Sequence, residues 1–298
     1  MTISQVCSKA KLQIKKTSRS PQLDAEILLS FVLNKPKEFL YANPDYHLTQ
    51  NQRSKFQTLI SRRAAGLPIA YLVGHKEFYG LDFIINKNVL IPRPETELMV
   101  DEVLNHLRFT PCSLPLTLID IGTGSGCIPI AIAKNMNTEL RIMIYGTDIS
   151  TKALPVARQN AKFHKVEQKI KFIQSDLLKN ILNSLFIIHN SFIIITANLP
   201  YLTPAQYRAN PNLKYEPRQA LIAGPYGLKY YHVLIQQTKT LTRTTHYSLP
   251  ITLFLEIDPS QTKKIQKVIH HHLPNAQISL KKDLSGRNRL VIIKLNHK

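Results

Sequence analysis

Hydrophobic spacing changes character along the chain. Up to about residue 75 it is helical: Leu23, Ile27, Leu28, Phe31 and Val32 recur every three to four positions, as do Phe56, Leu59 and Ile60. Asn34, Pro36, Asn43 and Pro44 punctuate the connections. Between Gly74 and Val89 the pattern turns to aromatic and β-branched residues around Gly80 and Asn86, which predicts a short hairpin. Pro92 and Pro94 bracket Arg93 at the entrance to a predicted helix, Glu95 to Leu107. Proline and acidic residues in a first turn suit the orphan N–H groups and the positive end of the helix dipole.

After Pro115 strand and helix alternate. Strands are predicted at 116–121, 141–147, 171–173, 192–197, 251–256, 276–280 and 290–295, and helices at 125–136, 149–164, 228–241 and 261–272. Phe192–Ala197 is an unbroken apolar run, as a central parallel strand buried on both faces requires. Alternating β and α predicts an α/β, doubly wound, Rossmann-like parallel sheet with right-handed crossovers. The expected organisation is a helical region over 1–74, a hairpin linker over 75–92 and an α/β domain over 93–298.

Composition adds limits. The chain has 298 residues, 44% of them hydrophobic, enough for a buried core. Lysine and arginine outnumber aspartate and glutamate 39 to 19, a formal charge of +20. That balance suits an acidic partner, protein or nucleic acid, or simply a lysine-rich solvated surface. Cys7, Cys112 and Cys127 form no CxxC pair, against a disulfide framework or a zinc site. The polar, basic start resembles no signal peptide. The longest apolar stretch, Leu185 to Leu199, is interrupted by His189, Asn190 and Ser191 and is too short for a bilayer. A soluble, cytoplasmic protein is expected.

Chemistry gathers at the ends of predicted strands. Asp120-Ile121-Gly122-Thr123-Gly124-Ser125-Gly126 follows the first strand of the α/β domain, where glycines let a ligand approach the backbone and a helix N-terminus. The dinucleotide fingerprint fails because Cys127 stands where its last glycine belongs. A lipase elbow on Ser125 fails at Thr123 and Cys127, and no P-loop lysine follows. GxGxG after an acidic residue remains, the pattern that binds S-adenosylmethionine in class I methyltransferases.

Asp148 ends the second strand, 26 residues after Gly122, where a carboxylate accepts ribose hydroxyls; it could equally cap the next helix. Asp176, after the third strand, falls where an adenine amino group is expected, or is a simple turn residue. Asn198-Leu199-Pro200-Tyr201 ends the fourth strand. Pro200 biases Leu199 to an extended backbone with a free carbonyl, Asn198 adds a side-chain acceptor, and Tyr201 an aromatic face. Two acceptors near a sulfonium methyl can hold an NH2 group. His270, His271 and His272 diverge by about 100° each on a helix and suggest no shared metal.

These motifs resemble the release-factor glutamine methyltransferase (PrmC/HemK) family over nearly the whole chain. The resemblance rests on Leu23–Leu29, Arg62-Arg63 through Gly74, Glu77–Gly80, Ile91–Glu97, Asn198–Tyr201, Tyr215-Glu216-Pro217 and Asp283–Arg287. It implies a helical N-terminal domain that recognises the substrate protein, S-adenosylmethionine as methyl donor, and the Gly-Gly-Gln glutamine of peptide chain release factors as acceptor. Leu199 stands where the family has proline, and Leu177 where most members have an aromatic. Two rivals remain. One is a ribosomal RNA adenine methyltransferase, which uses a similar Asn-x-Pro-Tyr loop and would suit the basic charge. The other is a non-catalytic, ribosome-associated Rossmann-like binding protein.

Overall fold

A computed structural model of the chain describes residues 1–110, 115–137, 140–182, 192–244 and 250–295. Cys112 and the polar interruption at 189–191 lie outside the described residues. The fold separates into two compact units, Met1–His75 and Lys76–Lys298. Among the described residues no helix is long and apolar enough to cross a membrane.

The first unit is helical: α1 (Ile3–Ile14), α2 (Pro21–Leu33), α3 (Lys37–Ala42), α4 (Gln50–Ala64) and α5 (Ile69–Val73). Thr2 with Gln5, and Thr49 with Gln52, form capping boxes that satisfy the first N–H groups of α1 and α4. Ile3, Val6, Ala10 and Ile14 meet Ala25, Leu28, Leu29, Phe56 and Ile60 in one core. Leu23 and Phe31, expected on the apolar face, are 42% and 50% exposed. Because α2 is apolar nearly all round, spacing alone could not choose the buried face. Arg63 ties the unit together: Nε donates to Asp24 Oδ2 at 2.8 Å and Nη2 to the Thr17 carbonyl at 3.0 Å.

The second unit opens with a hairpin, β1 (His75–Phe78) and β2 (Leu81–Ile84). Tyr79 and Gly80 both have positive φ, 54° and 68°, the signature of a tight hairpin turn with right-handed twist. The next helix begins as a single 3-10 turn, Pro94–Thr96, before α6 (Glu97–Arg108). Then follow β3 (Leu116–Ile121), α7 (Cys127–Asn135), β4 (Ile142–Asp148), α8 (Ala153–Phe163), β5 (Ile170–Gln174), α9 (Lys179–Leu182) and β6 (Phe192–Ala197). The chain continues through α10 (Pro204–Arg208), α11 (Lys229–Thr244), β7 (Ile251–Glu256), α12 (Thr262–His272), β8 (Gln277–Lys282) and β9 (Asn288–Leu295).

The seven strands form one sheet in the order β5-β4-β3-β6-β7-β9-β8. The five strands from β5 to β7 are parallel, but β9 runs antiparallel to both β7 and β8. The sheet is therefore mixed, where an all-parallel one was expected. No helix separates β8 from β9; the Asp283–Gly286 turn does, and a tight turn joins only antiparallel neighbours. Strand order reverses between β3 and β6, so a crevice opens above their carboxyl ends. Ile121 is in register with Thr147 on one side and Ala197 on the other. Gly122, Asp148 and Asn198, each one residue further, consequently emerge together.

Asn160 of α8 braces this edge. It is fully buried; its Oδ1 accepts from Ile84 N at 2.8 Å, while Nδ2 donates to the carbonyls of Ile84 at 3.0 Å and Ser125 at 2.9 Å. One side chain thus holds the hairpin and the glycine loop. Asn160→Ala should cost about 1–3 kcal/mol for each backbone group left dry. Urea unfolding should show a lower midpoint at unchanged slope.

Candidate active site

The glycine loop joins β3 to α7. Gly122, Gly124 and Gly126 all have positive φ, 71°, 54° and 80°, a region that L side chains rarely adopt. A Cβ on Gly122 would stand 3.3 Å from Leu199 Cδ2, so its absence keeps a gap beside the Asn198–Tyr201 loop. A Cβ on Gly126 would meet Ile130 Cδ1 at 3.0 Å and Ala157 Cβ at 3.2 Å, which makes that glycine a helix-packing requirement. Gly122 and Gly124 lie on the wall of a cleft; Thr123 and Ser125 are buried and, like Gly126, off that wall.

The cleft encloses about 890 Å³, its open mouth included. Asp148, Ser175, Asp176, Leu177, Asn198, Leu199 and Pro200 also line it. Asp148 Oδ2 accepts from Gly124 N at 2.9 Å and Oδ1 from Ser150 N at 2.8 Å. Burial raises its pKa, and these N–H donors oppose the rise. A carboxylate offers about four acceptor sites, so acceptor capacity remains beyond these backbone N–H groups. The helix-capping alternative is only partly realised: α8 starts at Ala153, whose N–H donates to Ser150 Oγ at 3.3 Å. Asp176 is exposed at the cleft, and Leu177 is buried with φ 53°, a strained conformation for a branched side chain.

A second depression opens on the other side of the loop after β6. It is lined by Arg93, Glu95, Tyr201, Leu202, Glu256 and Arg289, and by Asn198, Leu199 and Pro200, which face both cavities. The loop is pinned from behind. Gln261 Nε2 donates to the Tyr201 carbonyl at 2.8 Å, and Leu202 bridges Ile222. A Cβ on Gly227 would overlap the Tyr201 carbonyl at 2.1 Å, so only glycine fits there.

The Leu199 side chain is buried in the core, which leaves the carbonyl as its offering to a ligand. Tyr231 OH lies 3.4 Å from that carbonyl but makes its much shorter bond to the Glu256 carbonyl. One hydroxyl has one proton, so Leu199 O keeps its acceptor capacity. Asn198 Nδ2 donates to Thr96 Oγ1 at 2.9 Å, and Thr96 Oγ1 donates to Glu256 Oε2 at 2.6 Å. Tyr201 OH donates to Glu256 Oε1 at 3.4 Å. Burial pushes the Tyr201 hydroxyl well up and holds it neutral, so its hydroxyl, beyond the expected aromatic face, has a partner.

The upstream motif now has assignable contacts. Arg93 pairs with Glu216, and Glu216 Oε2 accepts from Ile91 N at 3.2 Å. Glu97 Oε1 accepts from Tyr79 N at 2.9 Å, tying the hairpin turn to α6. Sequence reasoning assigned no role to Thr96, Glu216 or Glu256. Thr96 and Glu256 are 160 residues apart, and only the fold joins them. Cys127 is held as an inert thiol, its pKa raised to about 12 chiefly by burial. Among the described residues no group of three or more His, Cys, Asp or Glu could hold a metal ion.

A glycine loop, a carboxylate on the cleft wall and an Asn-x-Pro-Tyr loop around the switch point of this sheet are the features of a class I S-adenosylmethionine-dependent methyltransferase. The PrmC N-terminal domain family matches residues 5–74, and a methyltransferase domain family matches residues 115–243. The release factor glutamine methyltransferase of Rhodopirellula baltica is 33% identical over 93% of this chain and 90% of its own length. That of Coxiella burnetii is 32% identical over 98% of both chains. A bifunctional methyltransferase of Rickettsia felis is 32% identical over 98% of this chain, which spans 58% of that protein. The N-terminal domain of human METTL16 in complex with SAH shares the fold, with a TM-score of 0.51 at 15% identity over 91% of this chain and 94% of that one. The chain belongs to the release factor glutamine methyltransferase family.

Two measurements follow from this geometry. S-adenosylhomocysteine should raise Tm and NAD should not. Asp148→Ala should abolish most of that shift; an undiminished shift would remove Asp148 from ligand binding. Gly124→Val is a poorer probe, because φ 54° strains a β-branched residue even without ligand.

The second measurement concerns pH. Burial pushes Asp120 up to about 7 from 3.8, and Glu256 up to about 7 from 4.5. Both pKa values are raised on folding, so their contribution to stability is full below about pH 4 and is lost as pH rises through 7. Tm should therefore fall between about pH 4 and 7, and Asp120→Asn should flatten part of that slope. A slope unchanged by the substitution would exclude Asp120 as its source.

Proposed function

We propose that this chain transfers a methyl group from S-adenosylmethionine to the side-chain amide nitrogen of the Gly-Gly-Gln glutamine in peptide chain release factors. The observation that carries this reading is the shared wall: Asn198, Leu199 and Pro200 face both the glycine-loop cleft and the second depression. A methyl donor on one side and an amide on the other would meet at two acceptors. Family membership supplies the substrate class. In this reading residues 1–74 recognise the release factor, 75–92 link, and 93–298 carry the transfer, in the cytoplasm. Nucleic acid is not required, although the basic surface leaves such contacts open.

The loop from Gly122 through Thr123, Gly124 and Ser125 to Gly126 would take the methionine portion of the cofactor. Asp148 would accept from the ribose, and Asp176 and Leu177 would flank the adenine. Bound S-adenosylmethionine supplies an electrophilic methyl on a sulfonium sulfur. An amide nitrogen is a weak nucleophile because its lone pair is delocalised. Asn198 Oδ1 and the Leu199 carbonyl, accepting from its two N–H bonds, would orient it and favour positive charge on nitrogen as the bond to carbon forms and the methyl–sulfur bond breaks, its electron pair leaving with sulfur as the neutral thioether. Pro200 fixes the backbone that presents that carbonyl, and Tyr201 packs the depression where the glutamine would enter. The N-methylated nitrogen then sheds its proton, so no base is needed in advance.

With labelled cofactor, methyl groups should enter release factor and not ribosomal RNA stripped of protein; label confined to RNA would hand the activity to an adenine methyltransferase. Asn198→Ala should slow single-turnover transfer roughly ten- to a hundred-fold, the loss of about 1–3 kcal/mol from an unpaired N–H. Leu199→Pro should keep most of the activity, since proline retains the carbonyl. A wild-type rate in Asn198→Ala would remove the loop from catalysis.

A further inference from the structure

Asn198 is useful to an amide only if its carboxamide stands one way round. Its oxygen must face the incoming N–H, and its NH2 must face away. Nothing in the carboxamide's shape enforces this, since oxygen and nitrogen are nearly isosteric. The surroundings of Asn198 do.

Thr96 Oγ1 has a single proton, and the 2.6 Å contact to Glu256 Oε2 takes it. Toward Asn198 the same oxygen can only accept, and the 2.9 Å contact is with Nδ2. Reversing the carboxamide would set Oδ1 against another acceptor, with Thr96 and Glu256 each only 2% exposed. The direction of donation runs from Asn198 through Thr96 to the Glu256 carboxylate.

We propose that Thr96 and Glu256 are positioning residues that fix the Asn198 carboxamide with its oxygen turned to the substrate amide. The inference rests on the methyl-transfer reading above and deepens it. It also explains the Arg93–Glu97 motif, because the 3-10 turn at Pro94–Thr96 delivers the hydroxyl between the ends of β6 and β7.

Glu256 is faced by Glu95 from that turn, Tyr201 from the loop after β6, Tyr231 from α11 and Arg289 from β9. Burial first, and Glu95 after it, push its carboxyl up to about 7, while Thr96, Arg289 and Tyr201 hold it down. Once protonated, Glu256 can donate to Thr96, whose hydroxyl then turns to Asn198 and admits the reversed carboxamide. Turnover should therefore fall as pH drops through about 7.

The test uses the full chain with Thr96→Val, Thr96→Ser and Glu256→Gln. Side-chain amide exchange of Asn198 is read by NMR, with the signal assigned by its loss in Asn198→Ala. Protected Nδ2 protons are expected in wild type and Thr96→Ser, and fast exchange in Thr96→Val. In single-turnover methylation of release factor, Thr96→Val should lose roughly ten-fold or more in rate, from one unmade hydrogen bond, and Glu256→Gln should also lose rate, because its amide can donate to Thr96 and admit the reversed carboxamide. S-adenosylhomocysteine affinity should hold in both, Thr96→Ser should restore the rate, and the acid limb should vanish in Glu256→Gln. Wild-type exchange in Thr96→Val, or full rate in both Thr96→Val and Glu256→Gln, overturns the proposal. Protection with a wild type inactive on release factor would overturn the substrate reading and support the orientation of Asn198, so the two failures are distinguishable.

Discussion

The parallel pairing of β3 with β4 and β6 is the constraint on which the site depends. Register fixes Ile121 opposite Thr147 and Ala197. The three residues that follow can then only emerge on one edge, at the point where helical crossovers depart to opposite faces. A slip of one residue would turn every side chain on the slipped strand to the other face. The buried polar pairs guard against that slip: Thr196 OH donates to Asp120 Oδ1 at 2.7 Å and Thr147 OH to the Asp120 carbonyl at 3.3 Å. A shifted strand would leave these groups unpaired in the core, which costs more than the apolar contacts alone would register.

How much of this was legible before the fold was known depends on distance along the chain. Phe192–Ala197 and Ile251–Glu256 are strands with the predicted bounds, because apolar runs of that length between turn residues have few alternatives. Helix starts were predicted two to four residues too early at α7 and α8, where glycines and an Asx turn occupy the approach. The antiparallel end of the sheet was missed, since strand identity carries no direction. Asn198, Asp148 and Gly122 were legible because each ends a strand. Thr96 and Glu256 were not: their partnership is a fact of tertiary structure, and neither breaks a local pattern.

A chain of formal charge +20 keeps anionic groups at its centre. Asp120 and Glu256 are buried and Asp148 half-buried, and burial raises all three pKa values. Such carboxyls destabilise the fold once ionised, and a native protein retains them where function needs an acceptor or a fixed dipole. Asp148 already holds two N–H donors, and Glu256 holds hydroxyls from two elements. Their strain is localised at the strand ends, while the hairpin and helical unit rely on ordinary packing and caps.

Under the proposed transfer, Leu199 shows how the loop could carry leucine at this position and keep the contact assigned to it. What the proposed transfer asks of this position is a carbonyl on an extended backbone, and the Pro200 that follows favours that backbone. The side chain is spent on a different requirement, filling core space beside Gly122, where a Cβ would approach to 3.3 Å. Leucine fits there without adjustment because residue 122 has no side chain; a Cβ at 122 would make its tip give way by a few tenths of an ångström. Backbone chemistry at residue 199 is thereby decoupled from side-chain identity. At Asn198 the proposed transfer leaves no such freedom, since the oxygen it calls on belongs to the side chain, whose NH2 is held by Thr96 and through it by Glu256.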